Sequence, residues 1–267
     1  MNKELILKIK KVLKARGLGG ILRAVILRAW PVKPRMLSLC QDLVKERHGL
    51  EIGGPSAIFS RKGNLAIYPH IARLDNCNFG QNTTWERSLQ EGYTFKYDQD
   101  RPAGFQHISE AVDLKKIPDG TYDFVLSCHS IEHTANPLGA IREWMRVLLP
   151  EGRLLLVTPH MEGTFDHRRP LTNLCHLIED FQRKTGEDDL THLAEILKLH
   201  DFDRDLGAPD FAAFQVRSAR NLEFRCLHHH VFDTSLVVNM IDYLGMQILR
   251  VEAIRPFQLI VPAQKLT

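Results

Sequence analysis

From the amino terminus, apolar residues recur at helical spacing. Leu5, Ile9, Val12 and Leu13 share one face, and Lys3, Lys8, Lys10, Lys11 and Lys14 cover much of the rest. Gly17, Gly19 and Gly20 break that helix. Ile21, Leu22, Val25, Ile26 and Trp30 predict a second amphipathic helix, which Pro31 and Pro34 end. The pattern then predicts a helix over residues 37–47 leading into a short buried strand over 49–52. A further short strand is expected at 65–68, and Arg73-Leu74-Asp75 opens the next. Residues 76–105 show little periodicity, with Trp85, Tyr93, Phe95 and Tyr97 spaced along them. They predict an irregular excursion over the mouth of a site, or packing. Strands follow at 105–114, 124–127 and 154–157. Between the last two, Leu138, Ile141, Met145 and Leu148 mark a helix. Residues 232–244 read as a helix stopped by Gly245, and 247–254 and 257–261 as two strands separated by Pro256.

Residues 160–229 are too many for a structureless loop in a compact domain. Leu174, Leu177, Ile178 and Phe181 predict one helix with Thr172 as its N-cap. Leu190, Leu193 and Leu197 predict another capped by Asp189. Strands alternating with helices make an α/β domain with a mostly parallel sheet. The expected organisation is a basic amphipathic arm at 1–35 and one domain at 36–267, with a helical lid inserted over 160–229.

Two stretches carry the chemistry. Gly49-Leu50-Glu51-Ile52-Gly53-Gly54-Pro55-Ser56 is an apolar strand ending in an acid and a glycine turn, where backbone can approach a ligand. Asp119-Gly120-Thr121-Tyr122-Asp123-Phe124-Val125-Leu126-Ser127 is a turn and a buried strand, followed by His129-Ser130-Ile131-Glu132-His133 and later by Pro150-Glu151-Gly152 and the apolar run to Val157. These residues resemble the class I S-adenosylmethionine-dependent methyltransferases. Residues 164–172 and 225–233 resemble one bacterial branch that tends to accompany surface-glycan biosynthesis.

The resemblance implies a Rossmann-like methyltransferase sheet of about seven strands with helices on both faces. It also implies an S-adenosylmethionine site on Glu51, Gly53, Gly54, Pro55 and Ser56. Glu110 and Ala111 would lie beside the adenine, and His129 would form a wall. Asp75, about 24 residues after Glu51, is the candidate ribose-binding acid. Pro55 and Ala57 stand where the family commonly has glycines. The chain lacks a full GxGxxG turn, which argues against a nicotinamide dehydrogenase.

The implied reaction is methyl transfer to the oxygen of a sugar or glycan-derived acceptor, a small molecule and not a nucleic acid. A hydroxyl acceptor benefits from a general base, and histidine suits neutral pH. Eight of the 13 histidines lie between His160 and His230. His167 is the expected base, Asp166 its orienting carboxylate and His160 the reserve. A divalent metal held by Asp166, His167 and His229 is a further expectation, since imidazole and carboxylate suit several such ions. Two other readings compete: a non-catalytic scaffold that keeps the fold, and a divalent-metal hydrolase built on the histidine-rich lid.

Composition narrows the setting. A chain of 267 residues with 44% hydrophobic and 25% charged residues is that of a globular domain with decorations. Cys40, Cys77, Cys128, Cys175 and Cys226 form no CxxC pair, so neither a disulfide framework nor a cysteine zinc site is expected. No signal-peptide core and no apolar run of membrane-spanning length is present, and a cytoplasmic location is expected. The net charge of +3 hides a basic arm, with ten basic residues and one acid in residues 1–35, on a mildly acidic body. That arm is expected to pack on the body or on a second copy, or to lie peripherally on an anionic membrane.

Overall fold

The computed structural model describes residues 32–83, 88–205 and 210–267. The two helices expected in residues 1–30, and Trp85 of the expected excursion, lie outside the described residues.

The described chain forms one mixed sheet of nine strands: β1 (His48–Ile52), β2 (Arg73–Asn78), β3 (Gly92–Phe95), β4 (Gly104–Ile108), β5 (Tyr122–Cys128), β6 (Leu148–Pro159), β7 (Met246–Ile248), β8 (Glu252–Ile254) and β9 (Gln258–Lys265). The order is β3-β4-β2-β1-β5-β6-β9-β7, with β8 also on β9. The central strands β4, β2, β1, β5 and β6 run parallel. β3, β7, β8 and β9 pair antiparallel.

Both faces of the sheet are covered, which is why its central strands read as continuous apolar runs. Alternate residues divide between the two sides. Leu50, Val125, Leu154, Leu156 and Val261 pack on one, and Phe124, Leu126, Leu155, Val157 and Ile260 on the other. Helix α1 (Leu37–Val44) covers the second side through Cys40, Leu43 and Val44. Helix α2 (Pro137–Val147) covers the first through Leu138, Ile141, Trp144 and Val147. It starts where expected because Asn136 accepts from the Gly139 N–H at 2.8 Å and Pro137 takes the first turn.

The segment expected as a lid holds, among the described residues, α3 (Leu174–Arg183), α4 (Leu193–Leu199), α5 (Phe211–Ala219) and α6 (Asn221–Phe224). Helix α7 (Thr234–Tyr243) returns the chain to the sheet, capped by Asp233, and Gly245 leaves it at φ +72.

Several expectations are corrected. The strand expected at 65–68 is a turn running into a 3-10 helix over Tyr68–His70. Leu65 and Ile67 are buried as a strand would bury them, but their N–H groups bond to the Ile58 and Phe59 carbonyls. The sheet has nine strands because the excursion contributes β3 and the closing hairpin divides into three. The strand expected over 105–114 ends at Ile108, after which Ser109 N–H bonds to the Asn78 carbonyl. Helix α3 is capped by Asn173 rather than Thr172, whose hydroxyl instead accepts from Val231 N–H. Asp189 binds Thr191 rather than capping α4, which starts after His192. Among the described residues no helix is long and apolar enough to cross a membrane.

Candidate active-site cleft

A cleft of about 510 Å³ opens at the carboxyl ends of β1, β2, β4 and β5. β1 lies between β2 and β5, so connections diverge to either side of it, and open α/β sheets bind ligands at such a point. The volume falls in the usual range for small-molecule sites, roughly 300–1,000 Å³.

The turn after β1 forms one wall through Gly53, Pro55 and Ser56. Gly53 sits at φ +80, and a Cβ there would meet Ser130 Oγ at 2.5 Å, so no side chain fits. Glu51 and Gly54 stand just behind the lining. Glu51 is fully buried and faces the protein: its carboxylate accepts from Ser56 N–H at 3.1 Å and from Tyr68 Oη–H at 2.7 Å. Burial pushes its pKa up to about 7, against the lowering from those hydrogen bonds. Asn76 braces the turn from β2, accepting from Gly54 N–H at 2.9 Å and donating to its carbonyl.

Asp75 does not reach the cleft. β2 continues three residues beyond it, so Asp75 is mid-strand and Asn78 holds the strand end on the cleft wall. Asp75 instead accepts from Phe105 N–H at 2.8 Å and from Tyr122 Oη–H at 3.1 Å, and pairs with His48 at 2.9 Å. Burial raises its pKa, but the His48 and Phe105 hydrogen bonds outweigh that and lower it.

Glu110 and Ala111 border the cleft as expected, but Glu110 is not a bare acid. Arg225, from the lid, donates to both of its oxygens at 2.6 and 3.2 Å and stands 3.2 Å from Glu187. The same guanidinium lies over the Phe79 ring at 5.0 Å. Burial lifts Glu187 to about 7, with Arg225 pulling it back.

The histidines rearrange most. His129 lines the cleft at φ +52, with Nδ1 3.4 Å from Glu132. His133 also borders it, with Nδ1 3.0 Å from the Leu227 carbonyl, and burial holds its pKa down at about 4. The expected catalytic group is not assembled. Asp166 is buried against Arg169 at 3.0 Å and His228 at 2.5 Å; burial raises its pKa, but His228 outweighs it and holds it at about 2. His167 turns to Asp201 at 2.8 Å, and His160 accepts from Glu162 N–H at the start of a 3-10 turn. None of the three lines the cleft. The expected metal set of Asp166, His167 and His229 is likewise dispersed, because His229 Nε2 bonds to the Asn221 amide at 3.0 Å. Compact sequence spacing does not make side chains converge when each has a nearer partner.

Asn78, Glu187, Arg225 and His133 are cleft residues that the sequence did not single out, and neither did it mark Asn76, which braces the turn from behind. His133 had a signal, since it ends the His129-Ser130-Ile131-Glu132-His133 stretch, and Arg225 opens the second branch segment.

Residues 91–156 match a family model described as a methyltransferase domain. The fold is that of solved S-adenosylmethionine-dependent methyltransferases. One from Mesorhizobium loti shares 13% identity over 89% of this chain and 98% of its own, at a TM-score of 0.50. One from Aquifex aeolicus shares 13% identity over 90% and 92%, at 0.47. The 1,6-didemethyltoxoflavin-N1-methyltransferase of Burkholderia thailandensis, solved with 1,6-didemethyltoxoflavin and S-adenosylhomocysteine bound, shares 9% over 92% and 89%, at 0.45. No curated protein matches the chain.

Proposed function

We propose that this S-adenosylmethionine-dependent methyltransferase passes its methyl group to a hydroxyl of a sugar or glycan-derived acceptor, with His133 taking the hydroxyl proton. Methyltransferase character rests on the matched domain and the shared fold. The acceptor and the residue roles are our reading.

The observation that carries it is the setting of His133. Burial keeps the ring neutral near pH 7, and Nδ1–H is directed at the Leu227 carbonyl at 3.0 Å. That tautomer makes Nε2 the basic nitrogen of a ring bordering the cleft. In the reaction the acceptor oxygen forms its bond to the methyl carbon as the sulfonium–carbon bond breaks, and the oxygen's proton goes to His133 Nε2. A pKa held low makes His133 a modest base, in keeping with a reaction in which alignment does most of the work.

The residues present fit the cofactor. Gly53, Pro55 and Ser56 offer backbone at close range for its amino-acid end, with Glu51 holding the turn from behind. Asn78 takes the ribose position that Asp75 vacates. Phe79 and Ala111 offer apolar surface for the adenine, beside Glu110 as fixed by Arg225. The cofactor supplies an already activated methyl on a cationic sulfur, so these residues bind, orient and exclude water. Support for a glycan acceptor comes from the two segments that resemble the glycan-associated branch. They pack on one another beside the cleft, through Arg169 to the His228 carbonyl at 2.8 Å and Thr172 to Val231 at 3.2 Å.

The test is labelled-methyl transfer into a panel of glycan extracts, with S-adenosylhomocysteine affinity measured by calorimetry. His133→Gln should lower turnover by about 10²–10⁴-fold while affinity stays within a few-fold. His167→Gln, tied to Asp201, should turn over near normally. Wild type that binds no S-adenosylhomocysteine would sink the whole reading. Full turnover in His133→Gln would remove the base, and labelling of non-glycan acceptors alone would remove the acceptor class.

A further inference from the structure

Away from the cleft lining, three imidazoles converge, and a carboxylate stands against two of them. His176 and Asp180 lie one turn apart on α3, His192 immediately precedes α4, and His230 lies in the extended segment before α7. The three rings stand 5.0–5.8 Å apart, centroid to centroid. One nitrogen from each comes within 4.8 Å of the others.

The spacing of the donor atoms is informative. Four ligands about 2.0–2.1 Å from a tetrahedral ion lie about 3.3–3.4 Å from each other. His176 Nε2 is 3.0 Å from His192 Nε2 and 3.3 Å from Asp180 Oδ2.

Protons alone satisfy this group poorly. A single Nε2–H on His176 cannot serve both His192 and Asp180. Asp180 is buried, and its Oδ2 has no hydrogen-bond partner among the described residues. Its other oxygen accepts from Thr185 Oγ1–H at 2.9 Å, which aims Oδ2 at the imidazoles. His230 is buried too. Its Nε2 lies 3.2 Å from the Ala135 carbonyl and 3.7 Å from Asp180 Oδ2, and its Nδ1 is buried with no hydrogen-bond partner among the described residues. A metal-ligating imidazole is commonly set this way, with one N–H on a carbonyl and the other nitrogen's lone pair on the ion.

We propose that His176, His192, His230 and Asp180 bind one divalent transition-metal ion, zinc foremost. Four protein donors leave no open position, so the ion is structural rather than catalytic. It joins the first lid helix, the start of the second and the segment whose Leu227 carbonyl meets the His133 ring. A second group of close donors, Glu132, His133 and His228, includes the cleft-lining His133 and belongs to the site already described.

Full-length protein purified after growth with zinc should carry one zinc ion per chain by plasma mass spectrometry. Chelation should lower the thermal midpoint, and added zinc should restore it. Cobalt(II) added to the chelated protein should give the visible bands of a tetrahedral site. His192→Ala and Asp180→Ala should each weaken zinc binding at least about tenfold. If these variants fail to fold, the cobalt titration of chelated wild type decides alone. Failure of that protein to take up zinc or cobalt at micromolar concentration overturns the site. So does an ion retained in His192→Ala but lost in His133→Ala, which would place it at the cleft.

Discussion

The sheet body and the lid are stabilised by different physics. The body has two large apolar clusters, one on each side of the sheet. The lid's own apolar cluster holds three buried residues, Ile196, Phe214 and Leu227. Its first helix also joins the body's apolar cluster through Leu177, with Leu174, Ile178 and Phe181 packed against it. Directional contacts add to this: Asp166 with Arg169 and His228, His167 with Asp201, and Arg225 with Glu110 and Glu187. Apolar burial tolerates imprecision and does not depend on charge state. A buried ionic network demands partners of the right sign and fails when one is removed.

The largest contrast to test is in stability. Trp144 is fully buried in the body, with Nε1–H donating to the Ala111 carbonyl at 2.9 Å. Trp144→Ala should cost about 3–5 kcal/mol in urea unfolding. Phe214→Ala, buried only in the lid cluster, should barely move global unfolding while hydrogen exchange rises across 193–219. Equal global losses would mean that lid and body unfold as one.

Next in size is the tie between them. Arg225→Gln leaves Glu110 and Glu187 uncompensated at the cofactor end, and S-adenosylhomocysteine affinity should fall about tenfold or more, at least about 1.4 kcal/mol. Adding Glu187→Gln should recover part of the loss. No recovery would show that Arg225 acts through Phe79 or by direct contact instead.

The smallest effect is one of pH, within the body. Glu51 has its folded pKa raised from 4.5 to about 7, so the folded state keeps a proton that the unfolded state has released. Stability from this group is full below pH 4.5 and is lost as pH rises through about 7. Glu51→Gln keeps an acceptor for Ser56 and Tyr68 without the charge. Its thermal midpoint should therefore gain on wild type by a few degrees between pH 5 and pH 8. A constant difference across that range would show that Glu51 is ionised throughout.

Strands β1, β5 and β6 and helices α2 and α7 were legible in the residues alone, because strand runs, helical spacing and caps such as Asn136 and Asp233 act over a few residues. The sequence also marked Gly53, where the backbone itself must turn. Long-range contacts settled the rest. Leu65 and Ile67 alternate like a strand, but their hydrogen bonds go to a neighbouring loop. Asp75 and Asn78 differ by three positions in one strand, and only the strand's length tells which reaches the cleft. His167 and His133 are equally plausible bases as letters. His167 meets Asp201 and His133 meets Leu227, across 34 and 94 residues of chain. Arg225 meets Glu110 across 115. Local periodicity reports which face of an element is buried; the direction a polar side chain takes is set by whichever distant partner the fold brings within about 3 Å.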